Sequence, residues 1–342
     1  MFSGISVFNG TDNTIPPDYL QRSLYSLMNE RICPTCGHRN RPNARFCAAC
    51  GGELVAIALE TTDELPTVPS GASDTQQTGT HENEQTIPTQ NRLHWRMGQR
   101  SDIGRLRETN EDSHLVLDFL CINKTFSRSV GFLAVADGMG GHEGGEIASG
   151  MLVRALARQA AHDWLPRAID GDKTFDTATW LAGAIQTGNE EIYEWSHDAG
   201  LAMGTTIVAA VVMEDQVCIA HVGDSRAYRI NDMGIERLTA DHSLVESLVA
   251  ANQISREEAR AHPQANVIYR TVGDNPHVPV DLSRITLAAG DFLLLCSDGL
   301  NGMVSDDTIR DIVKGAPSPQ AACDLLIETA NHAGGEDNTT VI

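Results

Sequence analysis

Two short apolar runs in this chain end abruptly in carboxylates. Phe132-Leu133-Ala134-Val135-Ala136 stops at Asp137-Gly138, and Phe292-Leu293-Leu294-Leu295-Cys296-Ser297 stops at Asp298-Gly299. Runs of this length, bounded by Gly, predict strands buried on both faces. A charge at the end of a buried strand is costly unless it is paired. Two such strands ending together, with Asn110-Glu111-Asp112 and Asp337-Asn338 nearby, predict a cage of hard oxygen donors. Such a cage suits Mg²⁺ or Mn²⁺, which points to metal-assisted chemistry on a phosphate.

Composition narrows the classes of function. The chain has 342 residues, enough for one large domain with a small companion. Its formal net charge of −21 argues against uniform binding to nucleic acid or to an anionic membrane. No apolar stretch approaches the roughly 18 residues that a membrane span needs. Met1 to Gly10 has neither the basic start nor the apolar core of a signal peptide. The expected location is therefore the cytoplasm. Of eight Cys, four cluster between Cys33 and Cys50, and Cys121, Cys218, Cys296 and Cys323 are scattered. In a reducing compartment the scattered ones are expected as small core residues.

Four segments are expected along the chain. Residues 1–30 hold Leu20, Leu24, Leu27 and Met28 at the spacing of a short amphipathic helix. Residues 31–54 form a compact metal-site pattern. Residues 55–92 turn to Thr, Pro, Gln, Glu and Ser, the composition of a disordered acidic linker. Residues 93–342 are densely patterned. Strands are predicted at 130–136, 205–213, 216–230 with a bend near Gly223, and 291–297. Helices are predicted at 145–164, 176–199, 244–251, 306–314 and 319–333. Strand follows strand between 205 and 230, so the sheets are at least partly antiparallel, and helices cover them. The fold class is α+β.

Cys33-x-x-Cys36 and Cys47-x-x-Cys50 each set two thiolates on a tight turn, followed directly by Gly37 and Gly51. Two such knuckles predict one tetrahedral Zn²⁺ site resembling a short bacterial zinc ribbon. A redox pair is the alternative for a single Cys-x-x-Cys, and the duplication argues against it. Arg31, Arg39, Arg41 and Arg45 surround the quartet. The negative charge of a Cys₄ zinc site offsets most of theirs, which argues against a nucleic-acid face. An interaction or sensing module is expected instead.

The wording and order of several stretches resemble one family. GRLRETNEDSH (104–114), VADGMGGHEGGEIAS (135–149), LLCSDGL (294–300) and GGEDNTTVI (334–342) carry the likeness, with MGTT, HVGDSRAY and LTADHS between them. They are similar to the bacterial branch of the metal-dependent Ser/Thr protein phosphatases, type 2C. The resemblance implies an α-β-β-α sandwich of two antiparallel sheets flanked by helices. It implies hydrolysis of phosphoserine and phosphothreonine in proteins by a metal-bound hydroxide, opposing a Ser/Thr kinase. Carried over residue by residue, Asp137 would bridge two Mn²⁺ or Mg²⁺ ions, the Gly138 carbonyl would bind one, and Asp298 and Asp337 would complete a shell. Glu111 would hold bound waters, with Asp112 beside it. Arg107 would grip the phosphate. Asp198, ahead of Met203-Gly204-Thr205-Thr206, matches the region that supplies a third ion's ligand. Met139 stands where eukaryotic members have a histidine, and His142 is not given that role.

Other residues have plainer expectations. Asp224 should serve a turn and pair with Arg226. Asp241 and His242 should position a turn or cap the helix that follows. His221 should be a satisfied inner-sheet histidine. Residues 244–275 look like a flap beside the site. The competing function is a phosphoprotein-binding module without catalysis, yet Arg107, Glu111, Asp137, Asp298 and Asp337 are all present. The expected partners are phosphorylated proteins and a cognate kinase that phosphorylates threonines such as Thr75, Thr78 and Thr86.

The cysteine quartet generates a direct test. Cys33→Ser in the full chain should remove about one zinc per molecule and leave phosphatase activity nearly intact, because the metal site and the long acidic segment precede the patterned region. Elemental analysis beside an activity assay checks both halves.

Overall fold

The computed structural model describes residues 95–342 apart from 123–126, 141–143 and 261, together with 31–32 and 39–40. The chain divides into two units, Met1–Glu82 and Asn83–Ile342. In the first, β1 (Arg31–Ile32) pairs antiparallel with β2 (Arg39–Asn40). The helix expected near residue 24, the four cysteines and the acidic segment at 55–92 lie outside the described residues.

The second unit begins with β3 (Arg100–Asp102), β4 (Asp112–Ile122) and β5 (Ser127–Met139). Then follow α1 (Gly144–Gln159), a π-helical turn at Ala160–Trp164, α2 (Leu165–Asp170) and α3 (Thr177–Ala199). Strands β6 (Gly204–Thr205), β7 (Ile207–Met213), β8 (Gln216–Val222), β9 (Arg226–Asn231) and β10 (Gly234–Arg237) come next. Two short helices, α4 (Leu244–Ala250) and α5 (Arg256–Arg260), precede β11 (Asp281–Thr286) and β12 (Phe292–Cys296). The chain closes with α6 (Asp298–Asn301), α7 (Asp306–Gly315), α8 (Pro319–His332) and β13 (Thr339–Val341).

The strands form two antiparallel sheets. One has the order β10-β9-β12-β13-β3, and the other runs β11-β8-β7-β5-β4 with β6 added to β5. Alternation along each strand explains why the apolar runs are unbroken. On β5, Leu133 and Val135 join Val208, Ala210 and Leu295 in the layer between the sheets. Phe132, Ala134 and Ala136 face the opposite way, onto Leu152, Leu156, Leu181 and Ile185 of α1 and α3. On β12, Leu295 points between the sheets, while Leu294 and Cys296 pack with Ile309, Leu326 and Ile327 of α7 and α8. A strand covered on both faces has no position for a polar residue. The result is the expected α-β-β-α sandwich. Cys218, Cys296 and Cys323 are buried in it as small apolar residues.

Caps fix the helix ends. Asp176 accepts from the Ala178 amide to start α3, and Gly200 ends it in the left-handed region at φ 66°. Ser318 caps α8 ahead of Pro319. The helix expected over 145–164 is broken at Gln159 by the π-turn, after which Pro166 opens α2. The bend near Gly223 is real, with φ 108° at that glycine between β8 and β9.

One buried amide ties the outer helices to the 273–276 loop. Asn189 of α3, fully buried, donates to the Asn275 and Pro276 carbonyls at 2.8 and 3.2 Å and accepts from the Gly273 amide at 2.7 Å. Asn189→Ala should strand the buried Gly273 N–H and cost about 1–3 kcal/mol. Chemical denaturation of the variant against the parent measures it, and a loss under about 0.5 kcal/mol would contradict the assignment.

Candidate active site

The carboxylates that end β5 and β12 meet at one end of the sandwich. Asp112 and Asp137 stand directly opposite each other in the β4–β5 register. Like charges in that position repel. Asp298 begins α6 immediately after β12, and Ser297 at the junction donates from Oγ to Asp112 Oδ2 at 2.8 Å. Asp337 precedes β13 and receives Arg107 Nη2 at 2.6 Å.

The backbone around these groups is held from several sides. The Thr206 amide and the Thr205 hydroxyl both donate to the Asp137 carbonyl at 2.8 Å, and the Asp137 amide donates to Thr206 Oγ1 at 3.0 Å. Asn338 is the corresponding clamp for the loop that carries Arg107 and Glu111. Its Oδ1 accepts from the Glu111 amide at 2.8 Å, and its Nδ2 donates to the Ile103 and Thr109 carbonyls at 2.9 and 3.0 Å. Ser149 Oγ of α1 donates to the Glu111 carbonyl at 2.6 Å. The glycines near Asp137 allow close backbone approach. A Cβ on Gly138 would lie 2.1 Å from the Gly145 carbonyl oxygen, and one on Gly145 would lie 2.5 Å from Glu111 Oε2.

Burial and mutual repulsion push these acids toward their neutral forms. Asp112 rises to about 7, chiefly by burial, opposed by hydrogen bonds from Thr340 and Ser297. Asp137 rises well above the usual carboxylate range through burial, then through Asp112, Asp298 and Asp224. Asp298 rises through burial and Asp337, and Glu111 through burial, with Arg107 opposing. Asp137 and Asp298 each raise the cost of ionising the other, so both are held toward the neutral form.

The donor set fits a hard divalent cation. Asp112 Oδ1, Asp224 Oδ1 and Asp298 Oδ1 are shut from solvent without a hydrogen-bond partner, and every donor is a carboxylate oxygen. Among the described residues no three His, Cys, Asp or Glu side chains converge as a ready ligand set. Asp337 is instead compensated by Arg107, a duty that a cation would take over.

Asp198 is exposed in the last turn of α3, where His197 and the capping Gly200 line one cavity with Met139 and Gly140. Several expectations are corrected here. Asp224 lies in the acidic cluster, buried, with Asp298 its foremost charged neighbour. Arg226 pairs not with Asp224 but with Asp241, through Nε at 3.0 and 3.1 Å and Nη2 at 2.6 Å. Asp241 and His242 do not cap α4; Ser243 does, accepting from the Glu246 amide at 3.3 Å. His242 Nδ1 accepts from the Gly223 amide at 2.9 Å and its Nε2 contacts Asp281 at 3.1 Å. His221 is not satisfied: neither ring nitrogen has a partner, and the ring stacks on His242 at 4.8 Å. Burial holds its pKa down at about 3. His142 lies outside the described residues. No sequence signal separated Asp224 from an ordinary turn aspartate.

The protein phosphatase 2C family model matches residues 108–333, a stretch that carries Glu111, Asp112, Asp137, Asp224 and Asp298 but not Arg107 or Asp337. The chain belongs to the protein phosphatase 2C family. A zinc-ribbon domain model matches residues 32–54. The serine/threonine phosphatase stp of Listeria welshimeri is 40% identical over 245 residues, covering 71% of this chain and 92% of that protein. Among solved structures, the Mycobacterium tuberculosis serine/threonine phosphatase PstP/Ppp is 36% identical with a TM-score of 0.61, covering 72% of this chain and 96% of that one. The catalytic domain of PstP in complex with 2 manganese ions is 35% identical with a TM-score of 0.59, covering 72% and 95%. These likenesses agree with the phosphatase 2C sandwich described above.

The shifted acids yield a linkage test. A carboxyl whose pKa is raised in the folded state favours folding below its unfolded value near 3.9, and that contribution is lost as pH rises through the folded value. For Asp112 the window runs from about 4 to about 7. The buried histidines act with opposite sign, so the difference between variants is the quantity to measure. In EDTA, Asp112→Asn should match the parent near pH 4 and exceed its stability by roughly 2–4 kcal/mol at pH 7.5. An offset independent of pH would contradict the assigned shift.

Proposed function

We propose that this protein phosphatase 2C removes phosphate from phosphoserine and phosphothreonine in proteins at the acidic end of the sandwich, using two divalent ions held by Asp137, Asp298 and Asp337. The observation that supports the reading most is the packing of Asp112, Asp137, Asp224 and Asp298 into one buried cluster with three unpartnered carboxylate oxygens. A protein has no reason of stability to gather these charges. Manganese or magnesium bound there would supply Lewis acidity, an activated water and neutralisation of phosphate charge.

The chain's own residues divide the remaining work. Asp137 would stand between the ions, with its carbonyl fixed by Thr205 and Thr206 and the Gly138 carbonyl beside it. Asp298 and Asp337 would hold one ion from the opposite sheet. Glu111 and Asp112 would accept hydrogen bonds from water at the site. Arg107 has its guanidinium half-exposed on Asp337, and a dianionic phosphate would compete for that fork. Asp198 would be the candidate ligand of any further ion. The four cysteines would hold one structural zinc in the ribbon. The chain would act on phosphorylated proteins, opposing a Ser/Thr kinase, in the cytoplasm. Among the described residues no helix is long and apolar enough to cross a membrane.

Asp137→Asn should reduce kcat by several orders of magnitude toward p-nitrophenyl phosphate and a phosphothreonine peptide, with EDTA doing the same to the parent. Undiminished hydrolysis in either sample would remove the metal-dependent reading.

A further inference from the structure

A cavity of about 630 Å³ opens beside the acidic cluster and shares Asp298 with it. Its other charged lining comes from Asp224, Asp241, Glu246, Asp306, Asp307 and Glu336, against only Arg226 and Arg256. Both arginines are committed. Arg226 is locked on Asp241, and Arg256 approaches Glu246 at 3.6 Å, where Arg237 also binds. Asp307 pairs with Arg310 on the exposed surface of α7.

One group in this cavity asks for a cation. Asp224 is 7% exposed, and its Oδ1 has no hydrogen-bond partner. Its charged neighbours are Asp298 and Asp241, of its own sign, and Arg226, whose guanidinium is bound to Asp241. The cavity is also far larger than a single ion needs. Val245 and Val249 of α4, Ala259 of α5 and Met303 line it together with the acids. Apolar walls beside carboxylates suit an aliphatic stem that carries a cationic head, which is the form of a lysine or arginine side chain.

We infer that this cavity selects substrates by receiving a basic side chain close in sequence to the phosphorylated residue. The inference rests on the phosphatase reading. The shared Asp298 makes the two sites contiguous, so an extended peptide with its phosphate at the cluster reaches the cavity within a few residues, at about 3.3 Å per residue. Glu246 on α4 and Asp306 and Asp307 at the start of α7 set the charge of the facing walls. The preferred class is therefore a phosphopeptide with arginine or lysine flanking phosphothreonine or phosphoserine, and acidic flanks are disfavoured.

The test uses the full chain with saturating manganese and paired phosphothreonine peptides that differ only in arginine or its uncharged isostere citrulline, scanned on both sides of the phosphothreonine. The parent should hydrolyse the arginine peptide with a kcat/KM roughly fivefold to tenfold higher at one flank position or more. The preference should shrink in about 0.5 M salt. Asp306→Asn combined with Asp307→Asn, and separately Glu246→Gln, should each reduce the preference to less than about threefold while p-nitrophenyl phosphate turnover stays within about twofold, which also shows that the variants fold. Asp307→Lys should lower the arginine peptide's rate and raise that of a glutamate-flanked one. Equal rates for arginine and citrulline at every position, or a preference retained in full by the double variant and Glu246→Gln alike, would overturn the inference. Loss of all hydrolysis by the parent, p-nitrophenyl phosphate included, would instead remove the phosphatase reading on which it rests.

Discussion

Asp112 and Asp137 face each other across β4 and β5, at the end of a sheet covered on both sides. Neither can turn away without leaving its strand. Coulomb repulsion between neighbouring carboxylates grows as the surrounding dielectric falls, so the apolar sandwich that stabilises the fold also raises the cost of this pair. Asp298 and Asp224 add to the same field. The structure relieves it in part, with Ser297 donating to Asp112 and with Arg107 folded onto Asp337. Each of these is a group that a cation or a phosphate can displace. The site is therefore the point where the sandwich carries uncompensated acceptors, and that unmet demand is what makes it a site.

The two sheets contribute different parts. β5, with β4 at its side, supplies Asp137 and Asp112, while β12 and β13 of the other sheet deliver Asp298 and Asp337. No single strand pair assembles the cluster, so its geometry depends on how the sheets stack. The layer of Leu133, Val135, Val208, Ala210, Leu295 and Ile342 that joins them acts as the site's foundation. Thr205, Thr206 and Asn338 then fix individual carbonyls and amides. Motif residues that touch no substrate thus act through the backbone of those that would.

Legibility in the sequence followed burial. β5, β7, β8 and β12 are central and apolar, and each was expected close to its observed span. β4 and β11 lie at the edges of their sheet. β11 alternates exposed and half-buried residues, and β4 leaves Phe119 and Leu120 partly in water. Such strands mix Asp, Ser, His and Arg into the pattern, and hydrophobic periodicity does not find them. α3 and α8 were expected at 176–199 and 319–333, close to their observed spans, and Asp176 and Ser318-Pro319 are the local signals that fix their starts.

The site divided along the same line. Asp137 and Asp298 were marked by the runs they terminate, and Asp337 and Glu111 by the motifs around them. Asp224 was read as a turn residue that pairs with Arg226, two residues on. Only the fold reveals that Arg226 points to Asp241, fifteen residues on, leaving Asp224 beside Asp298. His221 and His242 show the same limit. His221 was expected to be satisfied within its sheet and His242 to position a turn or cap a helix, yet they stack as a pair in which His242 keeps the hydrogen bonds and neither ring nitrogen of His221 has a partner. An isolated sequence position states what a side chain can do, and the sheet register decides which partner it meets. The buried charges of this protein are where that difference is largest, because a single misplaced partner changes the sign of the local field.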